Sequence, residues 1–554
     1  MIGDDAKSLI AAYQALWSAQ GNFRVLWNTT AQYVMPAWDN FIGEFAEGVN
    51  RNSRLFDSQP IIANERFAAA MESILTPRNS VWHKFTSGDE ELDEVPAVAR
   101  WLDQVTKITF ACRYHPMTNF AGQTDECYLS LGAFGNNCLF TDELPGRNLR
   151  YRALPLSEIV WALNHAGRVD TLYRKFRYTA KQACQHWGRE HVPPAVARAY
   201  ASANPYQELE FLHAIRPNDD HVAGAFGDRG MAYESWYLYL GDSSVIEKTG
   251  YRTFPCAIGR YRVAPRENYG RGPAIAALPD IRTSNEMVKT ELRQGQKALD
   301  PPILLAEDSV ISPFNQRPGA VNYGMLSAEG KPLAVPFESK GRFDVGEKLQ
   351  ERVASSIKDT FLNTLFQILV ENPNMTATEA LLRAQEKGEL IAPAMGRQQS
   401  EFLGNLIHRE FDILKTANQY PPMPAEMLRA GRSVVVEYTS PMARAMRAEE
   451  GTAIMNTVAD LAQMANLDKT VLYTMDFHDA AREMAAIRGC PAKLLRSEDQ
   501  VQQLLEQAAQ QQQQSDAAAQ APQVAAGVQK LAQAAQIANA NGGAQPGAPS
   551  VAAA

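Results

Sequence analysis

Few residues in this chain have the types and spacing that metal binding requires. The segment Asp219-Asp220-His221 offers two carboxylates and an imidazole, but adjacent carboxylates close to Pro217 are also typical of a solvated turn. His408 and His478 have no partner at ligand spacing, so we interpret them as surface or packing residues. The sequence therefore predicts no metal site.

Motifs for nucleotide chemistry and for hydrolysis are not found either. The sequence contains no Gly-x-x-x-x-Gly-Lys-Ser/Thr phosphate loop, no His-Glu-x-x-His pair and no Gly-x-Ser-x-Gly turn. The nearest fragment, Gly330-Lys331-Pro332, lacks both the first glycine and the hydroxyl residue. We therefore expect a protein that is not an enzyme and that uses no cofactor.

Composition and charge indicate an ordinary globular protein. The 554 residues include 54 basic and 62 acidic side chains, a formal charge of -8 that argues against a surface wrapped by nucleic acid but not against a weakly repulsive channel wall. The 6 cysteines form no Cys-x-x-Cys pair, which is typical of a protein assembled in a reducing cytoplasm. The acidic start of the chain is unlike a signal peptide, and no apolar run is long enough to cross a bilayer, so we expect a soluble protein with no membrane partner.

Two long helices around a short proline-rich excursion are the main structural prediction. Pro273 suits a first helical position, and the first helix can continue to Leu299, with a kink or restart at Pro279, until Asp300-Pro301-Pro302 stops it. A second helix is expected from Asp344 to residue 370. At 1.5 Å per residue each helix would be roughly 40 Å long. The second helix has an apolar residue at every fourth position, which forms one stripe: Val345, Leu349, Val353, Ile357, Phe361 and Leu365.

The remaining pattern predicts an α+β protein that is mainly helical. Helices are expected over 6–46, Pro60–Leu75 and 95–132, and short strands over 138–262, with a hairpin loop at 164–167. Later segments are expected to form a helix at 398–416, a strand at Val434–Val436 and mostly helix over 441–510. For the Ala/Gln-rich tail, the composition is compatible with a disordered segment or with helix. We predict helix to 521, weaker helix to 539 and disorder beyond.

Short motifs in a fixed order resemble the portal, or head-to-tail connector, proteins of short-tailed bacteriophages. Each motif is short enough to occur by chance, but their order is maintained over some 400 residues. The motifs are Arg54-Leu55-Phe56-Asp57-Ser58, Leu75-Thr76-Pro77, Trp82-His83-Lys84-Phe85, Gly167-Arg168-Val169-Asp170-Thr171, Tyr269-Gly270-Arg271-Gly272-Pro273, Asp300-Pro301-Pro302, Met375-Thr376-Ala377-Thr378-Glu379, Ser440-Pro441-Met442-Ala443-Arg444 and Gly489-Cys490-Pro491.

The resemblance implies a portal-type ring subunit with wing, stem helix pair, clip, crown and C-terminal helical barrel. The implied regions are a wing at 1–270, stem helices at 271–299 and 344–370, a clip at 300–343, a tunnel loop with returning wing segments at 371–440, a crown at 441–500, and a barrel helix with disordered tail at 501–554. The poorly charged tail differs from the ends that are usual in the family.

The resemblance also implies a function. Such proteins form rings of twelve subunits at one capsid vertex, through which double-stranded DNA is packaged and ejected. The implied partners are other copies of the chain, DNA, terminase, the major capsid and scaffolding proteins, and tail adaptor proteins, in a virion assembled in the host cytoplasm. A tail adaptor or nozzle ring is the alternative within the structural class. A DNA-packaging enzyme would need nucleotide and metal motifs that the sequence lacks.

Basic residues on the first stem helix are candidates for contact with channel DNA. These are Arg282, Lys289, Arg293 and Lys297. The alternative interpretation is that they pair with Asp280, Glu286 and Glu291 on an exposed face. The sequence does not separate the two.

The segment 387–397 contains Gly388, Pro393 and Gly396 and is predicted to be the tunnel loop. The resemblance implies that Leu390, Ile391 and Met395 form an apolar constriction, with Lys387 and Arg397 near DNA phosphates. The alternative is an ordinary exposed connection between helices.

The clip is too short to have a core of its own. Its apolar residues are therefore expected to be buried between neighbouring subunits. The residues concerned are Phe314, Tyr323, Met325 and Phe337.

Overall fold

The protein is described by a computed structural model. It describes residues 2–43, 46–78, 80–144, 149–305, 315, 317–337, 343–363, 393–431, 433–439, 441–465 and 469–487, with residues 501, 503, 504 and 507. The chain divides into two compact units, Met1–Thr457 and Val458–Ala554. No helix among the described residues is long and apolar enough to span a membrane.

Helices dominate the first 134 residues. They are α1 (Ile2–Ala19), α2 (Gly21–Val34), α3 (Gln59–Leu75), α4 (Glu90–Glu94), α5 (Pro96–Arg113) and α6 (Phe120–Phe134), with the short strand β1 (His83–Thr86) between α3 and α4. The prediction for α3 is confirmed. The helix expected over 95–132 is instead two helices, since Pro116 cannot donate a backbone hydrogen bond and Asn119 has a left-handed φ of 55°. The helix expected to reach residue 46 ends at Val34, before a short turn at Pro36–Trp38.

Strands follow, as the sequence predicts, and form two sheets. Their bounds are β2 (Asn136–Asp142), β3 (Arg150–Ala153), β4 (Ile159–Leu163), β5 (Val169–Thr179), β6 (Glu208–Pro217), β7 (Tyr233–Tyr239), β8 (Ser244–Tyr251) and β9 (Cys256–Arg260). One sheet has the order β3-β2-β9 and the other the order β4-β5-β6-β7-β8. Helices α7 (Ala180–Trp187) and α8 (Pro194–Ala201), which connect β5 to β6, were not predicted.

The main core joins α2, α3, α5 and α6 to the smaller sheet. Its largest fully buried side chains include Trp27, Phe67, Trp82 and Tyr128. A second cluster packs α1 on one face of the larger sheet, and a third packs α7 and α8 on the other. The larger sheet is therefore covered on both faces.

The long hairpin begins at a close contact between two glycine-containing turns. A β-carbon at Gly272 would lie 2.7 Å from the carbonyl oxygen of Gly132, and one at Gly135, whose φ is +77°, would lie 2.2 Å from the nitrogen of Gly272. Asn136 fixes the same junction, because its side chain accepts from Gly270 N at 2.7 Å and donates to Gly270 O at 3.0 Å. Only glycine allows the two backbones to approach this closely.

The two helices of the hairpin are confirmed, with corrected ends. After the short helix α9 (Pro273–Ala276), α10 (Leu278–Leu299) restarts at the position where Pro279 is expected to interrupt it. Strands β10 (Ile303–Leu305) and β11 (Ala334–Pro336) pair as an antiparallel ribbon, and α11 (Phe343–Thr360) returns. The second helix ends at Thr360 rather than continuing unbroken to 370, because Leu362 adopts a left-handed φ of 60°. Residues 364–370 lie outside the described part of the chain.

The chain next described, from residue 393, returns to the body. Helical residues 393–397 continue into a π-helical segment (Gln398–Leu403) and then α12 (Gly404–Thr416), which confirms the predicted helix at 398–416. Helix α13 (Ala425–Ala430) precedes β12 (Val435–Tyr438), which pairs antiparallel with β1. The final described elements are α14 (Pro441–Met464), a short turn (Lys469–Thr474) and α15 (Phe477–Ile487). The predictions for the tail fall outside the described residues, apart from four helical positions between 501 and 507, and the motif at 375–379 also lies outside them.

Candidate functional site

The hairpin helices are buried at the body and exposed towards the tip. Ile281, Ile357 and Phe361 are each 0% exposed where the hairpin leaves the body. Further along, the apolar side chains are exposed in the single chain: Leu292 by 54%, Leu299 by 90% and Leu349 by 50%. The predicted stripe is thus divided. Its Ile357 and Phe361 belong to the core of this chain, and only its far end offers apolar surface to another molecule.

Polar contacts fix the base of α10 to the Arg54–Ser58 motif. The side-chain oxygen of Asn285 accepts hydrogen bonds from Phe56 N at 2.7 Å and Asp57 N at 3.3 Å. Ser284 Oγ donates to Asp57 Oδ2 at 2.5 Å. Ser284 and Asn285 are both buried, so these bonds hold the helix in one orientation. Sequence analysis did not select Ser284 or Asn285, although two short polar residues on the apolar side of a helix are a signal for such a contact.

The basic residues of α10 lie on one face. At 100° per residue, the four positions fall within about 80° of one another around the helix. Arg282, Arg293 and Lys297 are exposed, whereas Lys289 is partly buried and pairs with Glu286 at 2.9 Å. Lys289 therefore forms an ion pair along the helix, as the alternative interpretation of the basic residues predicts. Of the other two acidic candidates, Asp280 accepts a hydrogen bond from Ser356 of α11 at 2.7 Å.

The Glu291 carboxylate has a different environment. Its Oε1 is buried with no hydrogen-bond partner among the described residues, close to Gly346 of α11. A β-carbon at Gly346 would lie 3.1 Å from this oxygen, so the carboxylate would have to shift slightly to admit a larger residue there. Glu291 therefore faces α11 and not the basic row.

Several apolar side chains are exposed among the described residues of the tip. Tyr323 is 80% exposed, Phe337 is 50% exposed and Met325 is partly buried, while Phe314 lies outside the described residues. Val321, Leu326 and Leu304 add further exposed apolar surface. The β10–β11 ribbon is short, with the register Ile303 to Pro336, so it cannot cover these side chains.

The predicted tunnel-loop residues fall into three groups. Lys387, Leu390 and Ile391 lie outside the described part of the chain. Met395 is only 4% exposed and packs in the main core, so its side chain is not placed to line a constriction. Arg397 has a side chain 37% exposed, with Nε 4.0 Å from Glu401 Oε1. The loop was expected to extend to 397, but the chain is helical from 393 because Ala394 and Met395 are buried on the body.

The helical segment after the predicted loop is fixed to β9 by a partly buried ion pair. Arg260 donates to Glu401 through Nε at 2.9 Å and through Nη2 at 2.8 Å, and its side chain is 8% exposed. Gln398 Nε2 donates to the carbonyl oxygen of Arg260 at 3.0 Å. This anchor lies in the π-helical segment, a local geometry that is frequent beside functional sites. The described chain from residue 393 is thereby fixed to the body.

A second buried network joins α5, α12 and β3. Arg113 donates to Glu410 through Nε at 3.0 Å, and Tyr151 donates to the same carboxylate at 2.5 Å. Burial opposes the charged form of Arg113, but the Glu410 carboxylate outweighs this effect and raises the pKa of Arg113. Burial, and then the charge of Arg113, lower the pKa of His83 well below its usual value. The network therefore connects a helix of the N-terminal body to the helix that follows the π-helical segment.

The other candidate ligands remain apart. Asp219, Asp220 and His221 are exposed in the loop between β6 and β7, and His408 and His478 are exposed on helices. Within the described residues, no group of three or more His, Cys, Asp or Glu side chains could hold a metal ion.

Comparison with known proteins places the chain among phage proteins. It is 29% identical over 538 residues to a probable portal protein of Bordetella phage BPP-1, covering 93% of this chain and 95% of the relative. It is 23% identical over 543 residues to a portal protein of Salmonella phage epsilon15, covering 96% of each chain.

Similarity to solved structures is much weaker. A chain from the neck of an empty gene transfer agent particle shares 10% identity, covers 80% of this chain and 99% of that chain, and superposes with a TM-score of 0.36. The model of the bacteriophage head to tail connecting protein family, however, matches residues 6–495, and this chain therefore belongs to that family.

Proposed function

We propose that this chain is a portal protein, the subunit of a ring that forms the DNA channel between a phage head and its tail. The observation that carries the proposal is the hairpin, which is rigidly fixed at its base and carries apolar residues that its own chain leaves exposed. Burying Leu292, Leu299 and Leu349 against neighbouring copies would remove this surface from water and hold the subunits together.

The regions of the subunit are proposed as follows. Residues 1–270 form the wing, α10 and α11 the stem, 300–342 the clip, and 441–500 the crown, with a C-terminal barrel beyond. The π-helical segment, α12, α13 and β12 return to the wing, which is supported by the pairing of β12 with β1. The tunnel loop is reduced to residues before 393, with Lys387, Leu390 and Ile391 as its channel residues.

We place the exposed basic face of α10 towards the DNA. Arg282, Arg293 and Lys297 would neutralise phosphates without reading bases, so contacts would be screened by salt and independent of sequence. The excess of acidic residues over the whole chain would keep the wall from holding DNA tightly. Weak contacts suit a channel, because DNA must move through it in both directions.

The partners follow from this role. We propose that twelve copies occupy one capsid vertex of the virion, that scaffolding and major capsid proteins surround the wing during assembly in the host cytoplasm, and that terminase and then a tail adaptor dock on the clip. Burial of the exposed tip residues Tyr323 and Phe337 between neighbouring copies would complete the clip on which these partners dock. The chain would act as a structural channel and not as an enzyme.

Negative-stain electron microscopy of the purified chain tests the proposal. We expect rings with a central hole wide enough for duplex DNA, and a matched variant with Leu299→Asp and Leu349→Asp should give far fewer rings while keeping its circular dichroism spectrum. A monomer without rings at micromolar concentration, or rings unaffected by both substitutions, would contradict the proposed role of the hairpin.

A further inference from the structure

A small cavity lined by both charged and apolar side chains lies between the two sheets. Its volume is about 40 Å³. Strands β2 and β3 contribute one wall, the β5–β7 face of the larger sheet contributes the other, and His186 of α7 closes one side. This volume can hold a few water molecules or one small ion, but it is too small for a nucleotide.

The cavity wall has an excess of positive charge. Arg150, Arg152 and Arg174 line it, and Asp142 is the acidic residue among the lining side chains. His213 also lines it. Its ring stacks on Tyr237 at 4.0 Å and bonds to Ser235 Oγ at 2.9 Å, and burial followed by the charge of Arg174 lowers its pKa to about 3. The histidine is therefore neutral near pH 7. The three guanidinium groups make the net charge of the cavity wall positive.

Arg174 supplies an unused donor. The residue is 6% exposed, and its Nε donates to Glu158 at 2.8 Å. Its Nη2, however, is buried and has no hydrogen-bond partner among the described residues. A buried charged donor without a partner is costly, so an acceptor in the cavity would remove a penalty that the fold otherwise carries.

The other two arginines define how a ligand could reach this donor. Arg152 Nη1 donates to Tyr178 Oη at 3.4 Å, a long bond that leaves most of its donors available. Arg150 is exposed, so the cavity extends from the protein surface to the buried Arg174. Forked guanidinium donors match the oxygen geometry of phosphate-type anions.

We propose that this cavity between the sheets binds one small inorganic oxyanion of phosphate size, held by Arg150, Arg152 and Arg174. The bound anion would stabilise the packing of the smaller sheet on the larger one. It is independent of the DNA channel, because none of these residues lies on the hairpin or in the predicted loop.

The test is thermal unfolding of the full chain with inorganic phosphate as the probe. We expect 20 mM phosphate to raise the unfolding temperature by about 2 °C over sodium chloride of equal ionic strength. The Arg150→Gln and Arg152→Gln variants should each lose most of this shift. Because Arg150 is exposed, its replacement should leave folding intact. The exposed arginine Arg168, outside the cavity, provides the control, and Arg168→Gln should keep the full shift.

Other outcomes overturn the proposal. If phosphate and chloride act equally on the wild type, the cavity holds water or a non-selective ion only. If the phosphate shift persists in both Arg150→Gln and Arg152→Gln, the anion binds elsewhere. Isothermal titration calorimetry with phosphate should give one site per chain in the wild type and no measurable heat of binding in the Arg152→Gln variant.

Discussion

Arg113 and Glu410, which are 297 positions apart in the sequence, form a fully buried ion pair between α5 and α12. Both side chains are 0% exposed, and Tyr151 donates a further hydrogen bond to the carboxylate. The pair ties the helix that follows the predicted loop region to the helical body. It therefore fixes α12 to α5 in the core of the body.

Breaking this pair should destabilise the chain strongly. Glu410→Gln leaves the Arg113 charge buried without a counter-charge, so we expect the free energy of unfolding to fall by about 3–5 kcal/mol. Denaturant unfolding followed by tryptophan fluorescence measures the change. The control is Glu437→Gln, which removes a surface ion pair with Lys84 and should cost about 0.5 kcal/mol. Equal losses in the two variants would argue against the buried network.

Stability should decrease as the solution becomes acidic. Burial lowers the pKa of His83 and of His213, the latter to about 3, so both histidines are neutral in the folded chain. In the unfolded chain each histidine takes up a proton below about pH 6.5. The unfolded state then binds more protons, and each histidine should contribute a loss of up to about 1.4 kcal/mol per pH unit between pH 6.5 and the folded-state pKa.

Denaturant unfolding between pH 7.5 and pH 5 tests this expectation, since most carboxylates remain ionised in that range. His213→Gln should reduce the slope of stability against pH. His165→Gln, at an exposed hairpin loop, should leave the slope unchanged. A wild-type slope of zero over this range would show that the two histidines are not buried in the folded chain.

The two ends of the hairpin stripe should respond differently to a charge. Ile357→Asp places a carboxylate in the core of the single chain, so it should prevent stable folding and not merely ring assembly. Leu349→Asp lies at a position that is 50% exposed, so the monomer should fold while rings become less abundant. Analytical ultracentrifugation and circular dichroism separate the two effects.

The matched control for this comparison is Leu428→Asp on α13, which is 64% exposed and outside the hairpin. It should change neither folding nor assembly. Normal ring abundance in the Leu349→Asp variant would show that this part of α11 does not lie in the subunit interface.

Shortening the predicted loop should impair DNA handling but not assembly. Deleting residues 388–391 removes Leu390 and Ile391 while keeping the helix from residue 393 and its Arg260–Glu401 anchor. We expect normal rings and normal incorporation into procapsids, with reduced packaging or retention of DNA. Full-length packaging and normal retention would support the alternative of an ordinary connecting segment.

Met395 provides the contrasting substitution. Since its side chain is buried in the main core, Met395→Ala should lower the free energy of unfolding by about 2–4 kcal/mol. Denaturant unfolding measures this loss. A loss in the free energy of unfolding below about 0.5 kcal/mol would instead support a place for Met395 on the channel surface.

The sequence alone determined the class of the fold and the positions of its main breaks. The first hairpin helix restarts at Pro279 and ends before Asp300-Pro301-Pro302, as expected. Proline lacks a backbone donor and disfavours helical geometry in the residue before it. The pattern over 138–262 indicated a region of short strands, and the ordered motifs indicated the family. These are local signals, encoded within a few neighbouring residues.

Only the tertiary structure decided which surface each residue faces. The stripe on α11 has a uniform period, yet Ile357 is buried and Leu349 is exposed, because burial depends on how far along the hairpin the body reaches. Met395 was predicted to lie in a loop, but its side chain packs in the core and its backbone is helical. The Arg113–Glu410 pair joins residues 297 positions apart, a separation at which local patterns carry no signal, so only the packed chain brings these two charges together.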